Sequence, residues 1–145
     1  MPDPSLPPDD EPPAGPDRFV QARTAQSVAL LEDYVELIGD LTAELGEARI
    51  TDIASRMGVT HPTVTKAMAR LKREGLAVSR PYRGVFLTEA GAELAERVRL
   101  RHRVVVSLLV AVGVPPDTAE LDAEGMEHHV SDTTLAAFEA FLTRD

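Results

Sequence analysis

The sequence predicts a mainly α protein, an N-terminal winged helix-turn-helix followed by an all-helical domain. Three observations predict it. A basic island lies between two acidic segments. Inside that island, residues stand at helix-turn-helix spacing and are followed by two short strand-like runs. Everything beyond reads as capped helices with apolar stripes.

The charge balance is uneven. The chain has 145 residues and a net charge of -9. Residues 1–48 carry net -9, residues 49–83 net +6 and residues 84–145 net -6. A local cluster of bases in an acidic chain is the footprint of a local anionic partner. The first 16 residues hold seven prolines and four acids. They cannot build a core, so Met1 to about Phe19 reads as a disordered tail. With no cationic start and no apolar run, this tail is not a signal peptide. The longest apolar run, Val104 to Val114, is broken by Ser107 and Gly113 and is too short for a bilayer. There is no cysteine, hence no disulfide framework or thiolate metal site. These features imply a cytoplasmic protein with no membrane partner.

The first helix spans Leu31 to Leu45, with Leu31, Tyr34, Val35, Ile38, Leu41 and Leu45 on one stripe and Gly46 ending it. In ITDIASRMGVTHPTVTKAMARL, Ala54 is small where two helices cross. Gly58 supplies the turn's positive φ, and Val64 locks the second helix. Thr60 is placed to cap that second helix and Pro62 fits its first turn. Val64, Met68 and Leu71 then face inward. His61, Thr63, Thr65, Lys66 and Arg70, with Thr60 and Pro62 at the helix start, face a major groove of double-stranded DNA. Leu76 to Ser79 and Val85 to Leu87 flank RPYRG, whose proline and glycine make a turn. This hairpin is a wing, with Arg80 and Arg83 set to contact phosphates.

Thr88 caps a long helix reaching about Val112, stopped by Gly113 and Pro115-Pro116. A shorter helix runs from about Asp117 to His129, and Ser131 caps a last one with Leu135, Phe138 and Leu142 inward. This half is small and rich in apolar residues around Val104 to Val112, so it exposes surface that a symmetric homodimer would bury. Two-fold symmetry also suits a near-palindromic DNA site. The fold class is therefore a winged helix-turn-helix followed by an all-helical dimerisation domain. The predicted boundaries are 1–19 for the tail, 20–87 for the DNA-binding domain and 88–145 for the metal-binding and dimerisation domain.

Ligand-type residues recur on inner faces. Asp33 and Glu36 lie at i, i+3 on the first helix, and His102 shares a stripe with Val98, Val105, Val106 and Leu109. Glu124, Glu127 and His128 fall on one face of the shorter helix. Each group alone reads as core or solvated surface. If they converge, carboxylates and imidazoles make a hard cage suited to Mn²⁺ or Fe²⁺, and Zn²⁺ also fits. Spacing alone leaves convergence open.

EDYVELI, VTHPTVTKAMARL, PYRGVFLTEAG, Arg101-His102 and DAEGMEHHVS occur in that order. Together they resemble the diphtheria toxin repressor (DtxR) family, in its manganese-responsive branch, over about residues 27–142. The resemblance implies a dimeric, metal-activated repressor that lowers expression of metal uptake genes. It implies Asp33, Glu36, His102, Glu124, Glu127 and His128 as metal ligands, and six such side chains are enough for two Mn(II) ions per subunit. Iron-responsive relatives place sulfur where Asp33 and Glu124 stand, and many carry a further SH3-like domain; this sequence shows neither. An iron-responsive repressor, a regulator with an organic effector and a di-metal hydrolase are the competing functions. No catalytic residue is expected, and the hydrolase reading finds no nucleophile or phosphate loop to support it.

Overall fold

The computed structural model describes residues 15–144. The elements are α1 (Pro16–Leu45), α2 (Ile50–Met57), α3 (His61–Arg73), β1 (Ala77–Ser79), β2 (Val85–Leu87), α4 (Glu89–Ala111), α5 (Pro116–Met126) and α6 (Asp132–Leu142). Their order and type follow the sequence reading. Two boundaries differ.

The first helix is longer than its apolar stripe. It starts at Pro16, so residues 16–19, expected in the tail, are helical, while residues 1–14 of that tail lie outside the described residues. Burial begins only at Leu31, and Phe19, Val20 and Val28 stand exposed on the early turns. This early part therefore owes little to core packing. A tertiary contact does reach it: the Arg70 guanidinium donates to the Ser27 carbonyl (3.0 Å) and hydroxyl (2.8 Å).

From Leu31 onward α1 is the spine of the DNA-binding half. Val35, Ile38 and Leu41 are fully buried against Ile53 of α2 and Val64, Met68 and Leu71 of α3. Each such side chain contributes roughly 1.5–3 kcal/mol by leaving water. Gly58 turns the chain between α2 and α3 at φ 68, the left-handed region that glycine enters without steric cost. The Thr60 hydroxyl then accepts from the Thr63 N–H (3.4 Å), fixing where α3 starts.

The wing pairs Ala77 with Leu87, Val78 with Phe86 and Ser79 with Val85, antiparallel. It is pinned to the helix-turn-helix by the Val85 N–H donating to the Ala48 carbonyl at 2.8 Å. Gly84 permits this approach, because a Cβ there would overlap the Ala48 backbone carbonyl.

The Thr88 hydroxyl caps α4 by accepting from the Gly91 N–H (3.1 Å). α4 packs on α1, α5 and α6 and so joins the two halves. Its buried residues Val98 and Val105, with Ala119 and Ala123 of α5, form a thin core. Leu135, Phe138 and Leu142 of α6 are half-buried, the inward stripe expected of them. Val110, Val112 and Leu121 remain 42%, 62% and 76% exposed, leaving apolar surface for another chain. Among the described residues, no helix is long and apolar enough to cross a membrane.

The second difference is at the end of α5. The helix stops at Met126, and residues 127–129 form a turn closed by the His129 N–H on the Met126 carbonyl (3.0 Å). Gly125 weakens the last turn, and Ser131 must already be extended to cap α6.

Gly84→Ala should destabilise the protein by about 1–3 kcal/mol, since it forces backbone apart rather than filling space. Urea unfolding followed by circular dichroism checks this, and an unchanged midpoint would contradict the packing described.

Candidate metal centre and nucleic-acid interface

The turn after α5 decides how the ligand-type side chains are shared out. Glu127 keeps helical backbone angles, so it stays on the face of Glu124 and turns toward α4. His128 follows where the helix has ended and turns toward α1. The expected single face of Glu124, Glu127 and His128 is thus split in two.

Two groups of donor atoms result, each within 4.8 Å: Asp33, Glu127 and His128, and His102, Glu124 and Glu127. Glu127 belongs to both. His128 Nε2 lies 2.7 Å from Asp33 Oδ1 and 3.4 Å from Glu127 Oε1. His102 Nδ1 meets Glu127 Oε2, with Glu124 Oε1 at 3.8 Å. Glu36 is in neither tight group. It lies on the rim, lining one cleft with Asp33 and Glu124 and another with His102 and Arg99. Five of the six sequence-predicted residues are therefore brought together, with the sixth alongside.

Burial makes this cluster costly in its ionised form. Glu127 is fully buried, and burial pushes its carboxyl up to about 7 despite the opposing pull of His102. Burial raises Glu36 as well, helped by the charges of Glu124 and Asp40. Polar contact with Asp33, then with Glu32, pushes His128 up to about 10 against its own desolvation. Burial alone would lower His102, but Glu120 and Glu127 outweigh it and raise the imidazole.

The donors fit a divalent cation. Glu127 Oε1 and both ring nitrogens of His128 are buried without an aligned hydrogen bond, although Asp33 is close by. One donor atom from each of Asp33, Glu127 and His128 lies within reach of a single ion. All donors are oxygen or nitrogen, which suits a hard or borderline ion.

Sequence reasoning missed the residues that hold these side chains in place. Glu120 Oε2 lies 2.7 Å from His102 Nε2 and accepts from its N–H, occupying the ring nitrogen that faces away from Glu127. Glu32 is buried, 3.2 Å from the Arg101 guanidinium and 3.9 Å from His128 Nδ1. Arg101 also reaches Asp132 of α6 at 3.7 Å. The available signal was adjacency: Glu32 precedes Asp33, and Arg101 precedes His102. His129 is exposed.

On α3, His61, Pro62, Thr63, Thr65 and Lys66 are exposed on one side of the helix. Thr60 is occupied as the cap, its hydroxyl 2.9 Å from that of Thr63. Arg70 is half-buried and turned back to Ser27 and Glu74 (3.5 Å), so it is less free than its spacing suggested. In the wing, Arg80 and Arg83 lie over the Phe86 ring at 4.6 and 4.9 Å, and Arg83 pairs with Glu47 at 3.2 Å. Both guanidinium groups fold back onto the hairpin.

Residues 27–85 match the family described as iron dependent repressor, N-terminal DNA binding domain. Residues 88–144 match iron dependent repressor, metal binding and dimerisation domain. The transcriptional regulator MntR of Escherichia coli is 53% identical over 126 residues, 87% of this chain and 81% of the relative. The chain belongs to the iron-dependent repressor, or DtxR, family. Another relative, the HTH-type transcriptional regulator MntR of Listeria monocytogenes, is 38% identical over 101 residues, covering 70% of this chain and 71% of its own. The solved manganese regulator SloR superposes with a TM-score of 0.67 at 30% identity over 77% of this chain. This chain spans about half (53%) of SloR. As a DtxR-family member the protein is a metal-responsive, DNA-binding transcriptional repressor, with a divalent metal as cofactor and DNA and a second copy as partners.

The pKa directions give a signed prediction for the metal-free protein. Glu127 is raised from 4.5 to about 7, so its ionisation costs stability progressively across that window. His128 is raised from 6.5 to about 10, so it stabilises fully below pH 6.5 and loses that contribution as pH rises through 10. In chelator, the Tm advantage of Glu127→Gln over wild type should grow from pH 4.5 to 7 and then level off. A pH-independent difference would contradict the buried, desolvated carboxylate.

Proposed function

We propose that this protein is a manganese-responsive repressor of metal uptake genes, with Asp33, Glu36, His102, Glu124, Glu127 and His128 as ligands to two Mn(II) ions per subunit. The observation that carries this reading is the double membership of Glu127. It stands between one group completed by Asp33 of α1 and another completed by His102 of α4. Residues 20–87 then act as the reading head and 88–145 as the paired core.

The chain's own residues explain why the seam needs help. Burial raises the carboxyls of Glu36 and Glu127, and the charge of Glu124 raises both further. A bound divalent cation supplies the positive charge that this cluster lacks. The seam is not held by that charge alone. Arg101 pairs with Glu32 and Arg99 with Asp40 (2.8 Å), which ties α4 to α1 with no ion involved. Ion binding therefore shifts an existing equilibrium, and a coupling of about 1–3 kcal/mol, or 5- to 150-fold in DNA affinity, is the expected size. The hard oxygen and nitrogen donors favour Mn²⁺ or Fe²⁺ over softer ions. The relatives named as manganese regulators support the first of these. A symmetric dimer would set two α3 helices about 34 Å apart on a near-palindromic operator.

The test is fluorescence anisotropy of a duplex selected from a random-sequence pool, titrated with Mn²⁺, anaerobic Fe²⁺ and Zn²⁺ at fixed ionic strength. Mn²⁺ should tighten binding 5- to 150-fold. Asp33→Ala and Glu127→Ala should lose that stimulation while remaining dimeric by sedimentation. Stimulation by Fe²⁺ alone would make the protein an iron sensor. Wild-type-like stimulation in both variants would remove the assigned ligand set.

A further inference from the structure

The wing tip carries a feature that neither the phosphate-contact reading nor the metal centre uses. Residues Arg80 to Arg83 form a turn closed by the Arg83 N–H on the Arg80 carbonyl at 3.1 Å. Pro81 and Tyr82 are its central residues. A turn with proline second and a positive φ third is one that ordinarily places glycine third. Here the third residue is Tyr82, at φ 60, the one non-glycine positive φ among the described residues. Its side chain gains nothing from the fold in return, since it is fully exposed (103%). A bulky residue held in the left-handed region, with its ring in water, marks a position set for something outside the chain.

The surroundings indicate what that is. The flanking guanidinium groups fold back over Phe86, and Arg83 also onto Glu47, so the Tyr82 ring stands beyond them. The hairpin is bonded through Val85 to Ala48, just ahead of α2, and its first strand packs against α3, so the wing and α3 belong to one packed unit. The tip belongs to the segment of net +6. We propose that Tyr82 is a DNA-contacting residue. Its ring enters the minor groove beside the major-groove stretch facing α3, and its hydroxyl donates to an adenine N3 or a thymine O2 there. The two arginines can serve the phosphates on the groove walls. The phenol can donate to a phosphate as well, but the groove floor also offers its ring sugar faces and its hydroxyl acceptors that favour A·T pairs. The inference rests on the reading that α3 docks on DNA.

The experiment uses the full-length chain with saturating Mn²⁺ and a duplex selected by the wild type from a random-sequence pool. Tyr82→Ala should weaken binding about 10-fold, with the slope of log affinity against log salt unchanged, because no phosphate contact is lost. Tyr82→Phe should fall between wild type and Tyr82→Ala. Replacing A·T pairs flanking the α3 site by G·C should weaken the wild type but not Tyr82→Ala, and I·C, which lacks the minor-groove amino group, should restore the wild type. Tyr82→Gly should bind as weakly as Tyr82→Ala yet melt a few degrees higher, which separates contact from folding. Affinity of Tyr82→Ala within two-fold of wild type would overturn the proposal, as would a loss accompanied by a shallower salt slope. If no duplex is enriched by the wild type, the DNA-docking reading itself fails, and the proposal with it.

Discussion

The structure turns on one buried carboxylate. Glu127 sits between His102 and His128, in contact with both, with one oxygen left without an aligned hydrogen bond. A glutamate in such a place is either protonated or compensated by positive charge. Its backbone position follows from the end of α5. One more regular turn would have carried His128 away from Asp33, and an earlier stop would have lost Glu127 from the face of Glu124. The break in the helix and the bridging role of the carboxylate are one feature.

Around that carboxylate, charges are arranged in pairs that do different work. Arg101–Glu32 and Arg99–Asp40 join α4 to α1 with opposite charges already matched. Asp33, Glu36, Glu124 and Glu127 are matched incompletely, by two histidines whose charge depends on pH. The same seam thus contains carboxylates matched by arginine and carboxylates matched only by histidine.

The local parts of this design were legible in the sequence. Gly58, Thr60, Val64, Met68 and Leu71 each act through neighbours a few residues away, and the helix-turn-helix appears where their spacing put it. The capping threonine and serine residues before α4 and α6 did likewise. Six ligand-type residues were visible because their spacing matched helical faces and their order matched a family. What stayed hidden depends on tertiary approach. Glu32, Arg101 and Glu120 look like solvated charges until α1, α4 and α5 are brought together. The early turns of α1 carry no inward stripe, so periodicity could not find them. Tyr82 was overlooked because a proline-glycine turn was expected to be led by its arginines, and their retreat onto Phe86 is a matter of side-chain packing.

The length of α1 has a mechanical consequence. Ser27, which holds Arg70 of the recognition helix, and Asp33, which faces His128, lie on the same unbroken helix. At about 1.5 Å of rise per residue they are roughly 9 Å apart on a stiff rod. A small rotation of that rod at Asp33 is delivered to Arg70 with no hinge to absorb it. The carboxylate that faces His128 and the serine that holds Arg70 of α3 are thus parts of one stiff element.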